Sequence, residues 1–171
     1  LMLKEYKKFF EGGPERQVAE ALAKKVVHIT EFVAQSDQHP AMGPLEGQSR
    51  RVTYHSSCHL RAAGVTKEPR QLLKQIPGSD YVEMTDADRC AGGAGTYIVK
   101  DYDTSQQVFD RKRRNIEQSG ADTVATSCPA CMIQLNNGMR GRVAVKHVAQ
   151  VLNEAYEMGA QQEAQRPGAG Q

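Results

Sequence analysis

No stretch of this 171-residue chain approaches the roughly 18 consecutive apolar residues of a membrane-spanning helix, so nothing in it reads as a transmembrane segment. The opening LMLKEYKKFFEGG places its charges after a short apolar run. It lacks the basic-then-apolar order and the small-residue cleavage site of a secretory leader, which argues against a secreted precursor. It also lacks an initiator methionine, and the chain reads as trimmed. Charge of one sign is equally scarce: 22 Lys+Arg against 20 Asp+Glu leave a formal net charge of +2. That balance offers no broad basic field for nucleic acid and no acidic solvating tail. Cysteine is limited to four residues, too few for a disulfide scaffold, and the chain is long enough to bury a core without staples. Only 39% of residues are apolar, and the mean hydropathy is -0.59. The expectation is one domain with loose ends.

Residues 1–13 read as the end of a preceding domain, closed by a break at Gly12-Gly13. Pro14 and Glu15 suit the first turn of a helix running to about residue 35. Val18, Leu22, Val26, Ile29 and Val33 recur at three and four and predict one buried face. Residues 36–50 are rich in proline, glycine and polar residues and predict a loop. Beyond it the pattern alternates. Strands are expected at 51–55, 81–84, 123–126 and 143–145, and helices at about 66–75, 104–118, 128–137 and 147–158. Residues 159–171 have almost nothing to bury and read as a disordered tail. Short strands separated by helices predict a small α/β domain over residues 14–158, with a mainly parallel sheet and right-handed crossovers. Sites in such sheets form at the carboxyl ends of strands, where all four cysteines fall.

The cysteines stand at Cys58, Cys90 and Cys128-Pro129-Ala130-Cys131. One CxxC alone is ambiguous among a redox pair, half a zinc site and half a cluster site. Four thiolates converging on one sheet edge form a soft donor set that selects iron–sulfur or zinc over calcium or magnesium. Amides at the helix after Cys128 would favour a negatively charged centre. Gly92, Gly93 and Gly95 would let the backbone approach it and offer N–H groups to its sulfurs. Buried unliganded cysteines, and a thiol–disulfide pair of Cys128 and Cys131, stay open as alternatives. Ligand type alone does not separate a [4Fe–4S] cluster from structural Zn²⁺.

At these residues the sequence resembles the cysteine-rich CCG domain of heterodisulfide reductase. The same domain occurs in the iron–sulfur subunits of glycolate oxidase, the L-lactate utilisation oxidoreductase and anaerobic glycerol-3-phosphate dehydrogenase. The family order is Cys, then Cys-Cys-Gly, then Cys-x-x-Cys, with thirty-odd residues between blocks. Cys58, Cys90-Ala91-Gly92 and Cys128-Pro129-Ala130-Cys131 match it. Tyr54-His55-Ser56-Ser57-Cys58-His59-Leu60, Gly93-Ala94-Gly95-Thr96-Tyr97 and Gly120-Ala121-Asp122 extend the likeness, which spans about residues 14–158. Leu1-Met2-Leu3-Lys4-Glu5-Tyr6 is similar to the helix that follows the CxxC of a first half-domain, so the chain reads as the C-terminal half of a longer subunit.

The resemblance implies an iron–sulfur cluster of the [4Fe–4S] type on Cys58, Cys90, Cys128 and Cys131, with zinc as the alternative. It further implies electron transfer within a 2-hydroxy-acid (glycolate- or lactate-like) dehydrogenase or related heterodisulfide-reductase-like complex, rather than catalysis by this part alone. A flavin-containing subunit and the missing N-terminal half would be partners, and a membrane-associated quinone or other acceptor would receive the electrons. The implied location is cytoplasmic, peripheral at the inner face of the membrane through those partners. A zinc-stabilised assembly domain is the competing function. One departure stands out. Ala91 replaces the second cysteine of the doublet, which leaves four thiolates where the non-cubane cluster pair uses five.

His55 and His59 flank Cys58 and are candidates to donate to a cluster sulfur or approach the metal. His147, at the start of the last helix, is read chiefly as a cap, and His28 as a boundary residue. Arg111-Lys112-Arg113-Arg114 lies on a helix whose apolar side is marked by Val108, Phe109 and Ile116. The run is therefore expected to face water, with steering of an acidic partner as the alternative. Gly92-Gly93-x-Gly95 does not match a dinucleotide fingerprint.

Overall fold

The computed structural model describes residues 5–37, 39–45 and 51–165. After a 3₁₀ turn at Tyr6–Phe10, the elements are α1 (Arg16–Lys25), α2 (Ile29–Gln35), β1 (Arg51–His55), α3 (Cys58–Ala62), α4 (Glu68–Gln75) and β2 (Asp80–Tyr81). There follow α5 (Tyr97–Lys100), α6 (Tyr102–Ser119), β3 (Thr123–Thr126), α7 (Pro129–Met139), β4 (Ala144–His147) and α8 (Val148–Ala164). The strands form one sheet in the order β2-β1-β3-β4, and every pairing is parallel. The α/β expectation is met, with helices packed on both faces.

Alternation along the strands divides the core. Val52, Tyr54 and Ala125 point to one face, where Leu72 and Leu73 of α4 and Val151, Leu152 and Ala155 of α8 cover them. Val124 points to the other, beneath Phe109 and Ile116 of α6 and Leu135 and Met139 of α7. Helix boundaries follow local chemistry. Pro69 and Pro129 occupy first turns, the Asp101 carboxylate accepts from the Thr104 amide, and Gly120 closes α6 at φ +65°.

Three expectations need correction. The single helix of residues 15–35 is two, because the chain turns at Val26–His28 and a fresh capping box on His28 and Glu31 starts α2. Since α1 packs against the 3₁₀ turn instead of the sheet, Val18 stays 71% exposed and Leu22 is exposed as well; Ile29, at the start of α2, is also exposed. The second strand is shorter than 81–84, because the Met84 amide turns to the Thr53 hydroxyl and the chain peels away. Finally, the last helix runs on to Ala164, with Gly159 buried, so 159–164 are ordered structure. The rest of the expected disordered tail, residues 166–171, and the Leu1–Lys4 part of the first-half likeness lie outside the described residues.

Candidate metal centre

Register delivers the cysteines to one edge. His55 pairs with Thr126, and Thr126 with His147, so β1, β3 and β4 end level. Cys58 opens α3 directly after β1, where the Ser57 hydroxyl accepts from the Leu60 amide. Cys128 stands at the N-cap of α7, with Cys131 one turn into that helix. Cys90 arrives on the loop after β2. That loop is fastened at its base by the Ser56 amide on the Ala87 carbonyl (3.1 Å) and at its side by Arg70, which pairs with Glu83 (2.8 Å) and Asp88 (3.6 Å).

All four cysteines line one cavity of about 120 Å³, together with His55, His59, Ala91, Gly93 and Gly95. None is in a disulfide; Cys58 and Cys90 are exposed, while Cys128 and Cys131 are half-buried. Burial first, then the thiols of Cys128, Cys58 and Cys90, raise the Cys131 thiol far above its ordinary range. Four thiolates would therefore not coexist here without a positive partner. A thiophilic cation or cluster, which deprotonates the thiols it binds, supplies one. Among the described residues, no three His, Cys, Asp or Glu side chains stand close enough to ligate one ion as they are. The fit therefore rests on the donor chemistry and on the shared cavity.

The two histidines differ. His59 Nδ1 lies 3.7 Å from Cys58 Sγ. His55 is buried at 1% exposure, and its Nδ1 has no hydrogen-bond partner among the described residues. Burial, then the charges of Lys112 and Arg61, hold His55 at about 3, so the ring is neutral at physiological pH. The sign of the linkage follows. An unfolded histidine binds its proton below about 6.5 and the folded one only near 3, so His55 contributes stability that is full above 6.5 and is lost as pH falls toward 3. The slope is at most about 1.4 kcal/mol per pH unit. Thermal melting of the metal-free protein between pH 4 and 7 checks this. His55→Leu should flatten the acid-side decline, and an unchanged slope would remove the assignment.

The glycines serve packing as much as approach. Gly93 and Gly95 line the cavity, whereas Gly92 lies behind it. Gly92 donates its amide to Cys90 Sγ (3.2 Å) and accepts from the Ser105 hydroxyl (2.8 Å), which in turn accepts from Gln134 Nε2 (3.2 Å). This buried relay ties the Cys90 loop to α6 and α7, and neither Ser105 nor Gln134 stands out in the sequence. His147 caps α8, accepting from the Ala149 amide at 3.2 Å, and does not line the cavity.

Lys112 is a further missed residue and a correction to the solvated basic face. It is 1% exposed, because Ser105, Phe109, Lys112 and Ile116 form the buried stripe of α6. That three-and-four spacing was the available signal, obscured by the arginines on either side.

The sequence profile described as the CCG cysteine-rich domain matches residues 52–136. The chain is 36% identical over 158 residues to lactate utilization protein A of Lysinibacillus sphaericus, covering 89% of this chain and 68% of that protein. Its counterpart in a Geobacillus species is 35% identical, with 89% and 65% covered. A probable glycolate oxidase iron-sulfur subunit of Bacillus subtilis is 34% identical, with 90% of this chain and 36% of that protein covered. The chain thus spans about two thirds of the first two relatives and just over a third of the last.

Proposed function

This chain belongs to the CCG cysteine-rich domain family, and on that premise we propose that Cys58, Cys90, Cys128 and Cys131 hold an iron–sulfur cluster in an electron-transfer domain. The observation that carries the reading is the single cavity walled by all four thiols at the carboxyl edge of the parallel sheet. A [4Fe–4S] centre there would accept and release one electron at a time.

The protein's own residues do the rest. Three cysteines are set by strand ends and one helix turn, which fixes their spacing. Burial around Cys131 limits water. The neutral, buried His55 adds no charge to the wall, and His59 stands beside Cys58 as a hydrogen-bonding neighbour. Ala91 is buried both at the cavity and in the core below α6, so the site offers four thiolates and no bridging fifth. That favours a cubane carrier over disulfide cleavage.

Residues 14–158 are the working domain on this reading, and the parent system oxidises a small 2-hydroxy acid on a flavin-containing partner. The names of the relatives, a lactate utilization protein and a glycolate oxidase iron-sulfur subunit, support that class. Electrons would leave toward a quinone or another acceptor at the inner face of the membrane. The exposed apolar side chains Val18, Leu22, Ile29 and Phe32 suit cover by the other half of a longer subunit. Among the described residues, no helix is long and apolar enough to cross a membrane.

Iron, acid-labile sulfide and zinc measured on protein purified without oxygen test the proposal, with Cys58→Ser as control. About four irons and four sulfides per chain, lost in the variant, are expected for a [4Fe–4S] site. Zinc without sulfide would overturn electron transfer in favour of a structural zinc domain.

A further inference from the structure

A buried lysine needs a partner, and Lys112 has an unusual one. Its ammonium donates to two main-chain carbonyls of the Cys90 loop, Asp86 (2.5 Å) and Ala87 (3.3 Å), with Met84 Sδ at 3.9 Å. The nearby carboxylate of Asp86 is engaged by Arg111 at 2.5 Å. Among the described residues, no carboxylate pairs with Lys112 directly. Asp86 adopts a left-handed backbone (φ +54°), an uncommon conformation for a residue other than glycine. Ala87, the second carbonyl, also receives the Ser56 amide from the end of β1. One ammonium thus joins α6, the Cys90 loop and the strand that leads to Cys58.

Its position relative to the thiols is equally specific. Cys90 is a shared wall: it lines the four-cysteine cavity on one side and, on the other, a recess of about 470 Å³ that Lys112 also lines. His55, on the cavity wall, feels the same charge.

We propose that Lys112 is a positioning residue for Cys90 and the fixed positive counter-charge of the cysteine site. Burial lowers its pKa to about 8, against the opposing pull of Asp86, Asp88 and Cys90, so the side chain remains mainly protonated at neutral pH. A thiolate-ligated iron–sulfur centre is negative and becomes more so on reduction. A nearby cation stabilises the reduced form and raises the midpoint potential. The carbonyl contacts separately hold the loop that presents Cys90. This inference deepens the iron–sulfur reading and rests on it.

The test compares the wild-type chain, Lys112→Gln and Lys112→Met, all purified without oxygen. Glutamine keeps a donor for the loop carbonyls but no charge; methionine keeps neither. Lys112→Gln is expected to retain wild-type iron and sulfide and to melt close to wild type. Its midpoint should fall, so that the reduced-to-oxidised ratio at the wild-type midpoint drops by roughly tenfold. Lys112→Met should show the same fall, together with a lower melting temperature and faster loss of iron to a chelator. A wild-type potential in Lys112→Gln would overturn the counter-charge. Equal melting of all three metal-free proteins would overturn the positioning role. Wild type without iron and sulfide would sink the cluster reading itself and the counter-charge with it, while metal-free melting would still decide the positioning role.

Discussion

Gly92→Ala should destabilise the protein by about 2–4 kcal/mol and prevent stable metal loading, whereas Gly95→Ala should cost only about 1 kcal/mol. Both glycines have a left-handed backbone, at φ +83° and +50°. They differ in surroundings. A Cβ on Gly92 would lie 2.5 Å from the main-chain carbonyl oxygen of Ser105, which cannot swing aside, while one on Gly95 meets nothing within 4 Å. Relief at Gly92 requires the loop to withdraw from α6. That movement breaks the Ser105–Gly92 hydrogen bond and shifts Cys90, whose sulfur accepts the Gly92 amide. A melting temperature lower by roughly 5–10 °C, with iron content well below wild type, is the expected result for Gly92→Ala. Equal behaviour of the two variants would show that backbone conformation alone matters there.

Gly159→Ala reverses an ordinary rule. Alanine in a helix interior is favoured over glycine by about 1 kcal/mol. At this position a Cβ would fall 1.9 Å from the Ala41 carbonyl oxygen and 3.0 Å from the Gly43 nitrogen. The opposing backbone is equally committed, because the Gly43 amide donates to the Ala155 carbonyl at 2.7 Å and a Cβ on Gly43 would meet the Gly159 nitrogen at 2.6 Å. Two glycines therefore let a loop cross a helix at backbone contact. Overpacking wins over propensity, and a net loss of about 2–3 kcal/mol is expected, since the loop that carries buried Leu45 must lift. Denaturant melts measure the loss, and limited proteolysis should cut within residues 36–45 faster than in wild type. A stabilised Gly159→Ala would refute the crossing.

Much of the fold was legible in one dimension because its signals are local. Turn residues such as Pro69, Pro129 and Gly120 mark helix ends, and β-branched runs such as 123–126 mark strands. Family-patterned cysteines then fall just beyond those strands. Spacing along the chain was also enough to place four thiols at one edge of a parallel sheet, since parallel strands with helical crossovers all end on the same side.

What escaped depends on which surface meets which. The periodicity of Val18, Leu22 and Ile29 describes an apolar stripe, but nothing in it states that a turn at Val26–His28 will leave α1 off the sheet. The sequence by itself determined the main strands and helices, the parallel topology and the presence of four soft thiol donors, because propensity, periodicity and residue chemistry are properties of short segments. Only the tertiary structure decided that Lys112 is buried under the Cys90 loop, that Gln134 and Ser105 brace Gly92, and that Gly43 and Gly159 must both lack a side chain. Each of these is a contact between residues far apart in the chain, and its meaning lies in the partner it meets.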